Sequence, residues 1–110
     1  MAFHGTSIHM TVFIKPETVE RFWDLFRPVL AKIKEEPDLL FFEAYQSPDE
    51  PGVISWVENW SKPKDWLLAN QVNKPYYNEY RALTGEFYTK PMEIKIYERV
   101  GPEFTYVKEQ

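Results

Sequence analysis

The chain contains no cysteine, only two histidines and only four glycines in 110 residues. Without thiols it has no thiolate nucleophile, no cysteine-ligated zinc and no iron–sulfur cluster, and its core must hold without a disulfide. His4 and His9 stand together near one end, and neither they nor the carboxylates show the spacing that zinc or a facial triad requires, so no metal is expected. No serine nucleophile lies at a recognisable spacing from His9. The glycines are isolated, which leaves no phosphate-cradling loop. Thirteen basic residues are scattered among 17 acidic ones, for a net charge of −4. That balance argues against a nucleic-acid partner, which would need clustered Lys and Arg. No apolar run approaches bilayer length, and the opening "MAFHGTSIHM" lacks the basic start and apolar core of a secretory signal, so no membrane association and a cytoplasmic location are expected. The Asn59-Trp60-Ser61 match to the glycosylation pattern then reads as chance. The length predicts a single domain over 1–110, with a core over about 7–100 and a tail over 101–110.

What the chain has in excess is aromatic side chains, at 17%. They suit either a core of large groups or a pocket for a flat, apolar ligand.

"SIHMTVFI" alternates Ile8, Met10, Val12 and Ile14 against Ser7, His9, Thr11 and Phe13, the period of a strand. Pro16 and Glu17 then suit the first turn of a helix, and Val19, Phe22, Phe26, Val29, Leu30 and Ile33 recur at helical spacing. Pro28 must kink that helix or remove one of its bonds. "LLFFEAYQS" and "VISWVENW" flank the turn cluster "SPDEPG" as a hairpin, with apolar groups on both faces of each strand. Ser61 can cap a short helix carrying Trp66, Leu67 and Asn70, and Pro75 can start another with Tyr76, Tyr77, Tyr80 and Leu83, stopped by Gly85. "MEIKIYERV" is the last clear strand, and "EFTYV" can add a short one. The order β-α-β-β-α-β is that of the ferredoxin-like α+β fold, in which an antiparallel sheet carries its helices on one side. The uncovered apolar side predicts a second copy of the chain, a homodimer through the sheet face.

Trp56, Glu58 and Trp60 share one strand face with Ile54. Packing accounts for the tryptophans. Glu58 on an apolar face needs a partner or a raised pKa, and Lys95 or Arg99 on a neighbouring strand is the expected partner, in a structural role. Trp66 and Asn70 share a helix face and can line either core or pocket. His9 can be an ordinary hydrogen-bonded residue, but imidazole is the side chain whose ordinary titration suits proton abstraction near neutrality.

The stretch "VENWSKPKDWLLANQ", preceded by "FFEAYQSPDEPGVI", resembles the antibiotic biosynthesis monooxygenase family of dimeric α+β barrels, over about residues 9–99. The resemblance implies a dimer and a place among three activities: oxygenases that act on anthrones or quinols without metal or flavin, haem-degrading enzymes, and proteins of unknown activity. The haem-degrading branch uses an Asn on the first strand, a Trp on the helix after the third strand and a His beyond it. Here Trp66 falls at the Trp position, His9 at the Asn position and Tyr76 at or beside the His position, which counts against axial haem ligation by the family's route. The resemblance therefore points to a cofactor-independent monooxygenase that oxidises a hydroxyaromatic, of anthrone or hydroquinone type, to a quinone with O2. His9, Trp66 and Tyr76 are its expected catalytic residues. Asn70, Tyr77, Tyr80, Arg81, Phe13 and Phe42 are its expected substrate contacts. A ligand-binding dimeric barrel without activity is the alternative from another class, followed by haem binding or degradation.

Overall fold

The computed structural model describes residues 2–109 and arranges them as a four-stranded antiparallel sheet under a layer of helices. In chain order the elements are β1 (Thr6–Ile14), α1 (Val19–Lys34), β2 (Leu39–Gln46), β3 (Val53–Trp60), α2 (Lys64–Trp66), α3 (Asn78–Thr84) and β4 (Tyr88–Glu98). The strand order β2-β3-β1-β4 is that of the ferredoxin-like α+β fold.

Alternation along the strands sorts side chains between the two faces. On the helix side stand Ile8, Met10, Val12 and Ile14 of β1 and Ile54, Trp56, Glu58 and Trp60 of β3. The register places Ile8 between Glu58 and Ile96, and Met10 between Trp56 and Ile94. Helix α1 buries Phe22, Phe26, Val29 and Ile33, the stripe its spacing predicts. Phe26 is the hub of this layer, with ring centroids 5.2 Å from Trp56, 5.5 Å from Tyr80 and 5.9 Å from Phe42. Pro28 lies within α1 on its exposed side, where water can satisfy the carbonyl that its missing N–H leaves free. The other sheet face carries Ser7, His9, Thr11 and Phe13 with Phe41, Tyr45, Val57 and Tyr97, and no helix among the described residues covers it.

Three local expectations are corrected. The segment after Gly101 forms a 3-10 turn, Pro102–Phe104, and no strand, since its apolar groups find nothing to pack on: Phe104, Tyr106 and Val107 are each at least 75% exposed. Ser61 does not cap α2. Its hydroxyl and amide bond to Asp38 instead, at 3.0 and 2.8 Å, tying the start of β2 to the end of β3. Strand β4 begins at Tyr88 and runs through Pro91, which an edge strand tolerates at the register irregularity opposite Thr11–Phe13. Gly52 closes the β2–β3 turn at φ +87°, a conformation open to glycine, with its α-carbon against the Ile14 carbonyl.

Candidate functional site

A cavity of about 580 Å³ lies between the helix side of the sheet and the segment that connects β3 to β4. Its floor includes Ile8, Met10, Trp56, Glu58, Ile94 and Ile96; its roof includes Leu67, Leu68, Gln71, Tyr77, Tyr80, Arg81 and Thr84. Size and lining fit a small, mostly apolar ligand fixed by a few polar groups.

Glu58 is the carboxylate of that lining, and it is buried. Its two oxygens are held by its own strand: the Trp56 indole N–H donates to Oε2 at 2.8 Å, and the Trp60 indole N–H to Oε1 at 2.9 Å. The spacing Trp-x-Glu-x-Trp makes this possible, because residues two apart on a strand project side by side. Burial raises the carboxyl above its ordinary range, and the two indole bonds, which favour the charged form, offset that only in part. The expected partnership with Lys95 or Arg99 is thus corrected. Lys95 pairs opposite His9 on the far face, and Arg99 donates to the His4 carbonyl at 3.1 Å.

The roof owes its shape to an irregular helix. After Trp66 the chain takes a π turn over Leu67–Gln71, closed by a bond from the Val72 N–H to the Leu67 carbonyl. Gln71 stands four residues after the buried Leu67 and shares its inward face, where it is 2% exposed, while Asn70 is exposed. Gln71 Nε2 donates to the hydroxyls of Tyr76, at 2.6 Å, and Tyr77, at 2.9 Å. The Tyr76 hydroxyl in turn donates to Glu36 at 2.8 Å, and Lys74 stands 3.5 Å from the same carboxylate oxygen. Arg81 stacks over the Tyr77 ring at 4.5 Å and donates to the Val72 carbonyl at 2.9 Å. Burial raises the hydroxyl pKa of Tyr76, Tyr77 and Tyr80, so these groups stay protonated.

A family model described as antibiotic biosynthesis monooxygenase matches residues 6–81 of this chain. The chain belongs to the antibiotic biosynthesis monooxygenase family. A relative from Pestalotiopsis microspora, named "Putative monooxygenase GME11364", is 34% identical over 96 residues, spanning 87% of this chain and 80% of the relative. Among solved structures, an antibiotic biosynthesis monooxygenase from Caulobacter crescentus, titled as putative, superposes with a TM-score of 0.81 at 21% identity, covering 90% of this chain and 92% of its own. One similarly titled from Nitrosomonas europaea gives 0.81 at 22% identity, covering 93% and 96%. At those identities the two structures attest the fold.

Within this family member, the expected site residues separate. Tyr77, Tyr80 and Arg81 line the cavity. Tyr76 stands behind its wall, where it anchors Gln71, and Phe42 packs on Phe26 within the core. Trp66 is half-buried beneath Lys62, whose ammonium lies 5.2 Å from the ring, and the Asn70 amide donates back to the Trp66 carbonyl at 3.0 Å; neither side chain lines the cavity. His9 and Phe13 project from the opposite, open face of the sheet. There His9 Nε2 lies 2.9 Å from the Ser7 hydroxyl and its ring packs edge-on to Tyr97 at 4.9 Å. Two cavity residues escape the reading by pattern. The signal for Glu58 lies in its flanking tryptophans, and that for Gln71 in its place four residues after Leu67, on the same helix face.

The histidine ligation used by the family's haem-degrading branch has no counterpart in this cavity: neither His4 nor His9 lines it.

Proposed function

We propose that this chain is a single-domain, cytoplasmic, homodimeric monooxygenase that needs neither metal nor flavin and oxidises an electron-rich hydroxyaromatic of anthrone or hydroquinone type. The observation that carries the reading is Glu58: a buried carboxyl, raised in pKa and held rigidly by two indoles, in the floor of an apolar cavity sized for a flat ligand. A carboxyl so raised is a base suited to an acidic C–H or phenol. Glu58 takes the proton, and the resulting anion passes one electron to O2. The radical pair combines into a peroxide, and loss of water leaves a new carbonyl. For an anthrone the balance is one CH2 and one O2 giving one C=O and one H2O. Tyr77 and Arg81 supply positive or proton-bearing groups near the developing oxygen charge, and the apolar walls exclude water.

The reading gives the open face to a second copy, which would cover Phe41 and Tyr45, 42% and 44% exposed. In it His9 belongs to that interface and Glu58 replaces it as the base. The test is oxygen uptake by chelator-treated protein on anthrones and hydroquinones, with 18O2 labelling of the product. Saturable uptake above autoxidation, with one labelled oxygen incorporated into the anthrone product, supports the reading. Binding of the same compounds without uptake would make the chain a ligand-binding barrel.

A further inference from the structure

Gln71 is the buried amide of the cavity wall, and its hydrogen bonding is half complete. The direction of the amide is set from outside: Tyr76 spends its proton on Glu36, so its oxygen can only accept, and Gln71 must present Nε2 to it. Nε2 is then occupied twice, by Tyr76 and Tyr77, while Oε1 is buried and accepts nothing. Turning the amide over would let the Tyr77 hydroxyl donate to Oε1 but would set Oε1 against the Tyr76 oxygen, which has no proton to give and lies 2.6 Å from the amide, so the observed orientation leaves the acceptor unpaired. A buried acceptor without a donor is costly, and the cost is relieved by whatever donor arrives from the cavity the residue lines.

We propose that Gln71 Oε1 is a specificity determinant that selects ligands bearing a hydrogen-bond donor, so that the cavity holds the hydroxyl form of an aromatic more tightly than its carbonyl or ether counterpart. The proposal rests on the monooxygenase reading for its consequence: a substrate that presents a hydroxyl satisfies Oε1, whereas one that presents a carbonyl there sets oxygen against oxygen and favours release. A site that hydrogen-bonds a hydroxyl discriminates strongly against the analogue lacking it, because its own buried group is left unpaired.

The test is equilibrium binding, followed by quenching of tryptophan fluorescence, of 2-naphthol against 2-methoxynaphthalene, which share a ring system and differ in the donor. Neither the probes nor the readout involves oxygen chemistry, so failure here is separable from failure of the oxygenase reading. Wild-type protein is expected to bind the naphthol at least ~10-fold more tightly. Gln71→Met, close in volume and without an acceptor amide, is expected to bring the ratio to near one. Equal affinities in the wild-type protein, a ratio unchanged in Gln71→Met, or binding of neither probe would overturn the proposal. Should Gln71→Met not fold, the same ratio in Glu58→Gln decides: a preference kept without the Glu58 carboxylate supports the proposal, and one lost with it overturns it.

Discussion

Replacing Glu58 with Gln is expected to change how the fold responds to pH, and the sign follows from burial. The folded pKa of Glu58 lies above its ordinary value of 4.5. Above that pH the unfolded chain releases a proton that the folded chain keeps, so the unfolded state binds fewer protons and stability falls as pH rises. This contribution is fully present below 4.5, declines through the interval up to the raised folded value and is flat beyond it. For one proton the limiting slope is about 1.4 kcal/mol per pH unit. An amide at the same place has no proton to titrate and loses the slope. It also turns an NH2 toward one of the two indoles, leaving an unpaired N–H that costs ~1–3 kcal/mol at acid pH. Glu58→Gln should therefore be the less stable protein near pH 4.5 and should close the gap as pH rises. Urea denaturation of both proteins from about pH 4.5 to about pH 8 measures the difference, in which every other titrating group cancels. Parallel curves would refute the claim that Glu58 keeps its proton on folding.

Trp56→Phe removes one donor from the carboxyl and should push its pKa further up, steepening that pH dependence while costing ~1.5–3 kcal/mol in urea titrations near neutrality. Phe26→Ala, at the hub of the aromatic layer, should cost ~3–5 kcal/mol in the same assay. Gly52→Ala must leave φ +87° or collide with the Ile14 carbonyl, so it should lower stability by at least ~1 kcal/mol, seen as a reduced melting temperature. Phe41→Lys, on the open face, should shift sedimentation from dimer to monomer with the cavity unchanged; a variant that sediments as the wild type would contradict pairing through that face.

Much of the architecture is legible in the spacing of apolar residues. The stripe Phe22, Phe26, Val29, Ile33 and the alternation of β1 and β3 determine which side chains meet, and they place Glu58 beside Trp56 and Trp60. They also put His9 on the face opposite Ile8 and Met10. What alternation leaves open is which face the helices cover, since both faces of the hairpin carry large apolar groups; that choice moves the proposed base from His9 to Glu58. The roof is partly legible: helical spacing puts Asn70 on the face of Trp66 and Gln71 on that of Leu67, as observed, whereas the π turn over Leu67–Gln71 carries no such pattern. The tail misleads because "EFTYV" has strand propensity without a neighbouring strand to pair with.

The most direct measurement compares oxygen uptake on an anthrone by wild-type protein, Glu58→Gln and His9→Ala, each confirmed folded by circular dichroism and freed of metal by chelation. With Glu58 as the base, Glu58→Gln loses ~10²–10⁴-fold in rate while His9→Ala, altered on the far face of the sheet, stays within a few fold of wild type. The reverse pattern, activity kept without the Glu58 carboxylate and lost without the His9 imidazole, would contradict the assignment and move the chemistry to the open face.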